Sequence, residues 1–182
     1  MNLLPTGGTA DYIETGVWSE KAIAEAKKLG TVHIAGSSKA TNHDRIPLQS
    51  EIRYSAAPAY VHMTSNNTIF GTQWHHLPDV PEGVPLVNDA SSDIFCRPVD
   101  IQRYGMIYGG AQKNLSIAGL TLVVVREDLL GKAPASTPAT ATKALSSTVS
   151  RGRPVGRETG ISAARASIAL AACRATRASC AW

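Results

Sequence analysis

Two short apolar runs, each closing on a functional group, dominate residues 84–114, VPLVNDASSDIFCRPVDIQRYGMIYGGAQKN. Val84 to Val87 reads as a buried strand that ends in the acid Asp89. Met106 to Tyr108 reads as a second, running into Gly109-Gly110-Ala111-Gln112-Lys113, whose glycines allow close backbone approach. Strands separated by helices and loops argue an α/β fold with a mainly parallel sheet. In open sheets of that kind the ligand crevice lies just past the carboxyl ends of the strands. The expectation is that Asp89 and Lys113 share that edge.

An acid and an amine delivered to one edge match what pyridoxal phosphate requires: a lysine for the Schiff base and a carboxylate for the pyridinium nitrogen. The alternative for Lys113 is an exposed surface lysine, which most lysines are.

Upstream, Ser19 is expected to cap a helix with Ala22, Ile23, Ala26 and Leu29 on its apolar face, and Gly30 to close it. Trp18 would sit just before that helix. TVHIAG (31–36) alternates like a strand, Asn42-His43-Asp44 suits a turn, and a strand is possible around Ile52. Tyr60 to Thr64 reads as a strand opening into the polar loop Ser65-Asn66-Asn67-Thr68. Leu120 to Val125 is another strand, and Arg126 to Leu130 a short helix cut off by Gly131. Gly7-Gly8 is an ordinary turn rather than a phosphate loop. His75-His76 lacks a third ligand nearby, so no metal site is expected.

Composition bounds the rest. The chain has 182 residues, 43% hydrophobic and 18% charged, which suits one medium globular domain with a real core. No apolar stretch approaches the ~20 residues of a membrane helix. Cys96, Cys173 and Cys180 form no pairing framework, which points to the cytoplasm. The net charge of +4 is unevenly spread. Residues 1–132 hold 11 Lys/Arg against 13 Asp/Glu, and residues 133–182 hold 7 against 1.

The wording of DASSDIFCRPVDIQRYGMIYGGAQKN resembles the phosphoserine aminotransferase family, fold-type-I pyridoxal-phosphate enzymes among the class-V aminotransferases. TGVWSEKAIAEAKKLG (15–30), YVHMTSNNTIFGTQ (60–73) and AGLTLVVVREDLLG (118–131) fit the same family in the same order. The resemblance covers residues 1–132 and implies part of the large cofactor-binding domain. It implies that Lys113 carries the Schiff base and moves the α-proton, that Asp89 keeps the pyridine nitrogen protonated, and that Trp18 stacks on the ring. Thr68 and Gln112 would position the ring's polar substituents, and Ser91 and Ser92 would hold the Asp89 loop. The implied reaction exchanges an amino group between phosphoserine and 2-oxoglutarate, giving 3-phosphohydroxypyruvate and glutamate, in a family of homodimers. Desulfurases of the same fold need a catalytic loop cysteine, and Cys96, just before Arg97-Pro98, is wrongly placed for that.

The family's upstream glycine-rich loop, its Asn-Thr-Pro phosphate motif and its substrate arginines have no counterpart here. The chain is therefore expected to be an incomplete version of such an enzyme with weak or no activity. The alternative is a non-catalytic fragment that at most pairs with a full-length subunit. Residues 133–182, rich in Ala, Ser, Thr and Arg, read as a disordered or out-of-frame tail from which no strand should join the sheet. Residues 161–172 have helix propensity. The arginines are dispersed without interleaved aromatics, which argues against a nucleic-acid-binding tail.

Overall fold

The computed structural model describes residues 3–131, together with the backbone of residues 149–151 and 166–172. Strands β1 (Thr9–Glu14) and β2 (Thr31–Ser37) flank α1 (Val17–Lys27), the one α-helix among the described residues. Next come β3 (Pro58–Thr64), the small hairpin β4 (Asn66–Asn67) and β5 (Thr72–Gln73), and then β6 (Leu86–Asp89) and β7 (Met106–Gly110). β8 (Leu120–Arg126), β9 (Val149–Arg151) and β10 (Ala166–Ala172) complete the set. The main sheet runs β2-β1-β3-β6-β7-β8-β10-β9. From β2 to β7 every pairing is parallel; β8, β10 and β9 add antiparallel. The fold is thus α/β with a mainly parallel mixed sheet.

Register sorts the side chains onto two faces. Tyr12 pairs with His62, His62 with Val87, and Asp89 with both Thr64 and Tyr108, so these residues share one face. That face carries Ala10, Tyr12, Tyr60 and Val87, covered by Ile23 and Ala26 of α1 and by Leu4. Val61, Met63, Leu86, Ile107 and Leu122 point the other way, into a core with Ile13, Ile52, Trp74, Ile94 and Tyr104. Full burial of one such side chain contributes ~1.5–3 kcal/mol, so the short strands are held by both faces at once.

Several local expectations shift. Trp18 lies inside the first turn of α1, and Ser19 is its third residue, not its cap. The Ser19 hydroxyl still serves the helix start, accepting from Thr15 N at 2.8 Å and Gly16 N at 3.0 Å. Leu29 falls beyond the helix and is exposed. Gly30 has no left-handed conformation; a methyl there would come within 2.6 Å of Leu4 Cδ2 and would require that side chain to shift. Ile52 is buried but follows a 3-10 turn, Gln49–Glu51, instead of lying in a strand. Glu127–Leu129 is likewise only a 3-10 turn.

The expectation that nothing beyond residue 133 joins the sheet is not met. Ala166–Ala172 pairs antiparallel with all of β8, from Ala166 opposite Arg126 to Ala172 opposite Leu120. The helix propensity of 161–172 gives way there to the unpaired backbone rim of β8, which recruits any extended segment within reach. Val149–Arg151 pairs in turn with Ala166–Ala172, and the rest of 132–182 lies outside the described residues. Among the described residues no helix is long and apolar enough to cross a membrane.

Candidate active site

Parallel pairing sends the carboxyl ends of β1, β3, β6 and β7 to one edge. Trp18 follows β1, Thr68 follows β3, Asp89 ends β6, and Lys113 follows β7. Four residues spread along the chain thus arrive at a single rim.

Three of them meet directly. Lys113 Nζ donates to Thr68 Oγ1 at 2.8 Å, and Trp18 Nε1 donates to the same oxygen at 3.3 Å. The Lys113 amine lies 5.9 Å from the Trp18 ring centroid, and Lys21 Nζ lies 4.7 Å from it. Lys113 and Thr68 are exposed and Trp18 is half-buried. Gln112 is exposed on the same loop and makes no hydrogen bond to this cluster among the described residues.

The position of Thr68 is fixed from beneath by Asn67, which is fully buried. Asn67 Nδ2 donates to Thr15 Oγ1 at 2.9 Å, and Thr72 Oγ1 donates to Thr15 O at 2.8 Å. A methyl on Gly16 would sit 2.7 Å from the Asn67 side chain, and its φ of 151° already favours glycine. The turn from β1 into α1 therefore closes onto the loop that carries Thr68.

Asp89 is set in a second group of contacts. Its Oδ1 accepts from Ser91 N at 3.0 Å and Ser91 Oγ at 2.6 Å. Ser91 Oγ also accepts from Gly110 N at 3.1 Å, tying the Asp89 turn to the strand that leads to Lys113. Ser92 makes no hydrogen bond to Asp89; its hydroxyl donates to Asn66 O at 2.9 Å and joins this turn to the Thr68 loop. Burial pushes the Asp89 carboxyl above its usual range, while the Ser91 bonds and the Tyr108 phenol pull the other way. The glycines of β7 are not sterically demanded within the chain: added methyls at Gly109 and Gly110 would come no nearer than 3.5 and 3.9 Å.

Behind Asp89 lies a group of polar residues not expected from the sequence. His62 Nε2 lies 2.9 Å from the Tyr108 hydroxyl, the His62 ring stacks on Tyr12 at 4.6 Å, and the Tyr12 and Tyr60 hydroxyls meet at 3.0 Å. Burial pushes His62 down to about 3, so its imidazole is neutral. Their one signal in the sequence was parity, since His62 and Tyr108 fall on the strand positions that face with Asp89.

On the opposite face a cavity of about 490 Å³ is lined by Asn88, Phe95, Cys96, Tyr104 and Ile107 among others. It includes none of Trp18, Thr68, Asp89 and Lys113. His75 and His76 are exposed, and no cluster of metal-binding side chains occurs among the described residues.

The Aminotransferase class-V family description matches residues 1–175. This chain belongs to the class-V aminotransferase family. It is 54% identical over 138 residues to a phosphoserine aminotransferase of Herpetosiphon aurantiacus, covering 76% of this chain and 38% of that protein. Among solved structures, the phosphoserine aminotransferase of Bacillus circulans subsp. alkalophilus superposes with a TM-score of 0.74 at 45% identity, over 81% of this chain and 41% of that one. The enzyme of Trichomonas vaginalis, solved with PLP bound, gives 0.68 at 35% identity, over 78% of this chain and 39% of that one. The chain thus spans about two fifths of the length of the relatives it matches.

Proposed function

We propose that residues 1–132 are the central part of the cofactor-binding domain of a phosphoserine:2-oxoglutarate aminotransferase, and that the cofactor is pyridoxal phosphate. The observation that carries this is the meeting of Lys113, Thr68 and Trp18 on the strand edge where Asp89 ends. The donor set fits the cofactor: a primary amine for its aldehyde carbon, a carboxylate for its ring nitrogen, an indole for its ring face and a hydroxyl for its polar substituents. Once bound, pyridoxal phosphate supplies a protonated ring that accepts electrons from the substrate's α-carbon.

The chain's own residues do the rest. Asp89, gripped by Ser91 on Oδ1, holds the proton on the ring nitrogen through a charge-assisted bond, roughly twice as strong as a neutral one. Thr68 aims the Lys113 amine, which would take the proton from the substrate α-carbon and hold it at Nζ. Trp18 covers one ring face, where offset stacking adds ~0.5–1.5 kcal/mol beyond burial. Gln112, beside Lys113 in sequence, would help position the ring's polar substituents. The substrates are phosphoserine and 2-oxoglutarate, and the working assembly is a cytoplasmic homodimer that binds neither nucleic acid nor membrane.

The span of about two fifths of its relatives' length favours a second reading: a chain that is non-catalytic alone and at most pairs with a full-length subunit. One experiment tests the role of Lys113 in both readings, and lysine-dependent turnover near that of a full-length enzyme would exclude the second. Cofactor is added to the purified chain, the visible band of lysine-bound cofactor is followed, and glutamate formation from phosphoserine and 2-oxoglutarate is assayed. A band lost in Lys113→Ala, with little turnover, is the expected result. A band that survives unchanged in Lys113→Ala removes Lys113 from the mechanism.

A further inference from the structure

We infer that Asp93 is a positioning residue for the cofactor site: its carboxylate holds both arms of the hairpin that carries Thr68 and so fixes that hydroxyl relative to Asp89; this rests on the cofactor reading above. The hairpin leaves Ser65, passes through β4, Thr68 and β5, and returns to Trp74, whose N donates to Ser65 O at 2.9 Å and closes the base. Asp93 sits beside that base in the turn that follows Asp89, its own N donating to Ala90 O at 3.2 Å. Asp93 Oδ1 accepts from Ser65 Oγ at 2.5 Å on the outgoing arm, and Oδ2 accepts from Gln73 Nε2 at 3.2 Å on the returning arm.

Counting protons gives the Ser65 bond its direction. The hydroxyl has one proton and two acceptors in reach, Asp93 Oδ1 and, at 3.1 Å, Asp89 O. Asp89 O is already served by Ser65 N at 3.0 Å, so the nearer carboxylate takes the hydroxyl proton. Ser92 adds to the same join, accepting from Asn66 Nδ2 and donating to Asn66 O, both at 2.9 Å.

An ion pair with Arg97 does not account for the placing of the acid. Arg97 Nη2 lies 3.9 Å from Asp93 Oδ2 and its side chain is 39% exposed, against 8% for Asp93, and pairs so open contribute little. Both carboxylate oxygens are spent on the hairpin instead. The hairpin needs such a hold: β4 and β5 form a two-stranded sheet of their own, and an isolated pair of strands is marginal in water. Asn67 secures its tip to Thr15, and Asp93 secures its base to the Asp89 turn.

The test reads Thr68 through Trp18 in the chain without cofactor, because the indole N–H donates to Thr68 Oγ1 and Asp93 makes no hydrogen bond to Trp18, Thr68 or Lys113 among the described residues. Proton–nitrogen NMR follows the Trp18 indole signal, assigned with Trp18→Phe, and Thr68→Ala marks its position once the acceptor is gone. Asp93→Ala should move the signal toward that of Thr68→Ala, and should move it no further in a Thr68→Ala background. Asp93→Asn, which keeps an acceptor for Ser65, should stay nearer the wild type. Ser65→Ala and Gln73→Ala, each removing one bond, should give smaller shifts of the same sense and carry the test if Asp93→Ala does not fold; wild-type signals in both overturn the inference. So does a folded Asp93→Ala chain with the wild-type signal, or one that shifts it equally with and without the Thr68 hydroxyl. Titration with pyridoxal phosphate should show roughly two- to tenfold weaker binding in Asp93→Ala, the worth of one net hydrogen bond, and unchanged affinity also overturns the inference. A wild type that binds no cofactor would defeat the functional reading and leave the indole measurement standing.

Discussion

Lys113 Nζ donates to Thr68 Oγ1 at 2.8 Å across a separation of 45 residues. The flexible stem of a lysine loses rotamer freedom only when its amine is held, and this bond holds it over the Trp18 edge of the sheet. Thr68→Ala should weaken cofactor binding by ~0.5–1.5 kcal/mol, the worth of a typical net hydrogen bond. Thr68→Ser should retain most of the affinity. Titration of the visible band against cofactor concentration measures both, and equal affinities for Ala and Ser would exclude the hydroxyl.

Asp89 should show a conflict between stability and chemistry. Its folded-state carboxyl is raised by burial, so between the ordinary aspartate range and that raised position the folded chain holds more protons than the unfolded one. Stability therefore falls as pH rises through the window. Asp89→Asn keeps an acceptor for Ser91 and removes the partly buried charge. The cofactor-free variant is expected to melt at or above the wild type near pH 8, with any difference shrinking toward pH 4. A clearly lower melting point at pH 8 would contradict the burial argument.

His62 works with the opposite sign. Its folded-state value of about 3 lies below the unfolded ~6.5, so the unfolded chain binds the extra proton between them. Stability is fully present above about pH 6.5 and is lost as pH falls toward 3. The whole swing is on the order of 3–5 kcal/mol, at 1.36 kcal/mol per unit. Denaturant unfolding at pH 7, 6 and 5 should show this slope in the wild type and lose most of it in His62→Gln.

Gly16→Ala tests the join between the helix start and the Thr68 loop. The new methyl meets buried Asn67 at 2.7 Å in a backbone conformation that favours glycine. Strain of this kind costs ~1–3 kcal/mol. Denaturant midpoints should fall accordingly, and Trp18 fluorescence should change because Trp18 lies two residues from the clash. A midpoint within error of the wild type would mean that Asn67 can move aside.

The strand edge was legible because apolar runs this short, bounded by turn residues, suit buried strands better than helices, and the runs before Asp89 and Lys113 are of that kind. The direction of β8 was not: the apolar run from Leu120 to Val125 is the same whether it pairs parallel or antiparallel with β7. The path of 111–119, including Gly119 at φ 113°, decides it. Ala166–Ala172 was misread because local propensity favours a helix where the neighbouring strand offers a ladder. Ser19 was assigned the wrong place by one turn, since a hydroxyl can serve a helix start from its third residue as well as from the cap. His62 and Tyr108 were passed over because polar residues inside strands declare themselves only once the register is known.

Asn67 joins Thr15 across 52 residues of chain, and Ser91 joins Asp89 to Gly110 from the neighbouring strand. Parallel pairs of this separation close only after long stretches of chain have been brought together, and such closures are the slow ones in folding. No early hairpin or isolated helix can therefore present Trp18, Thr68, Asp89 and Lys113 in one place. Recovery of the lysine-dependent band during refolding should lag behind the recovery of secondary structure, which makes the cofactor a clock for the last step of assembly.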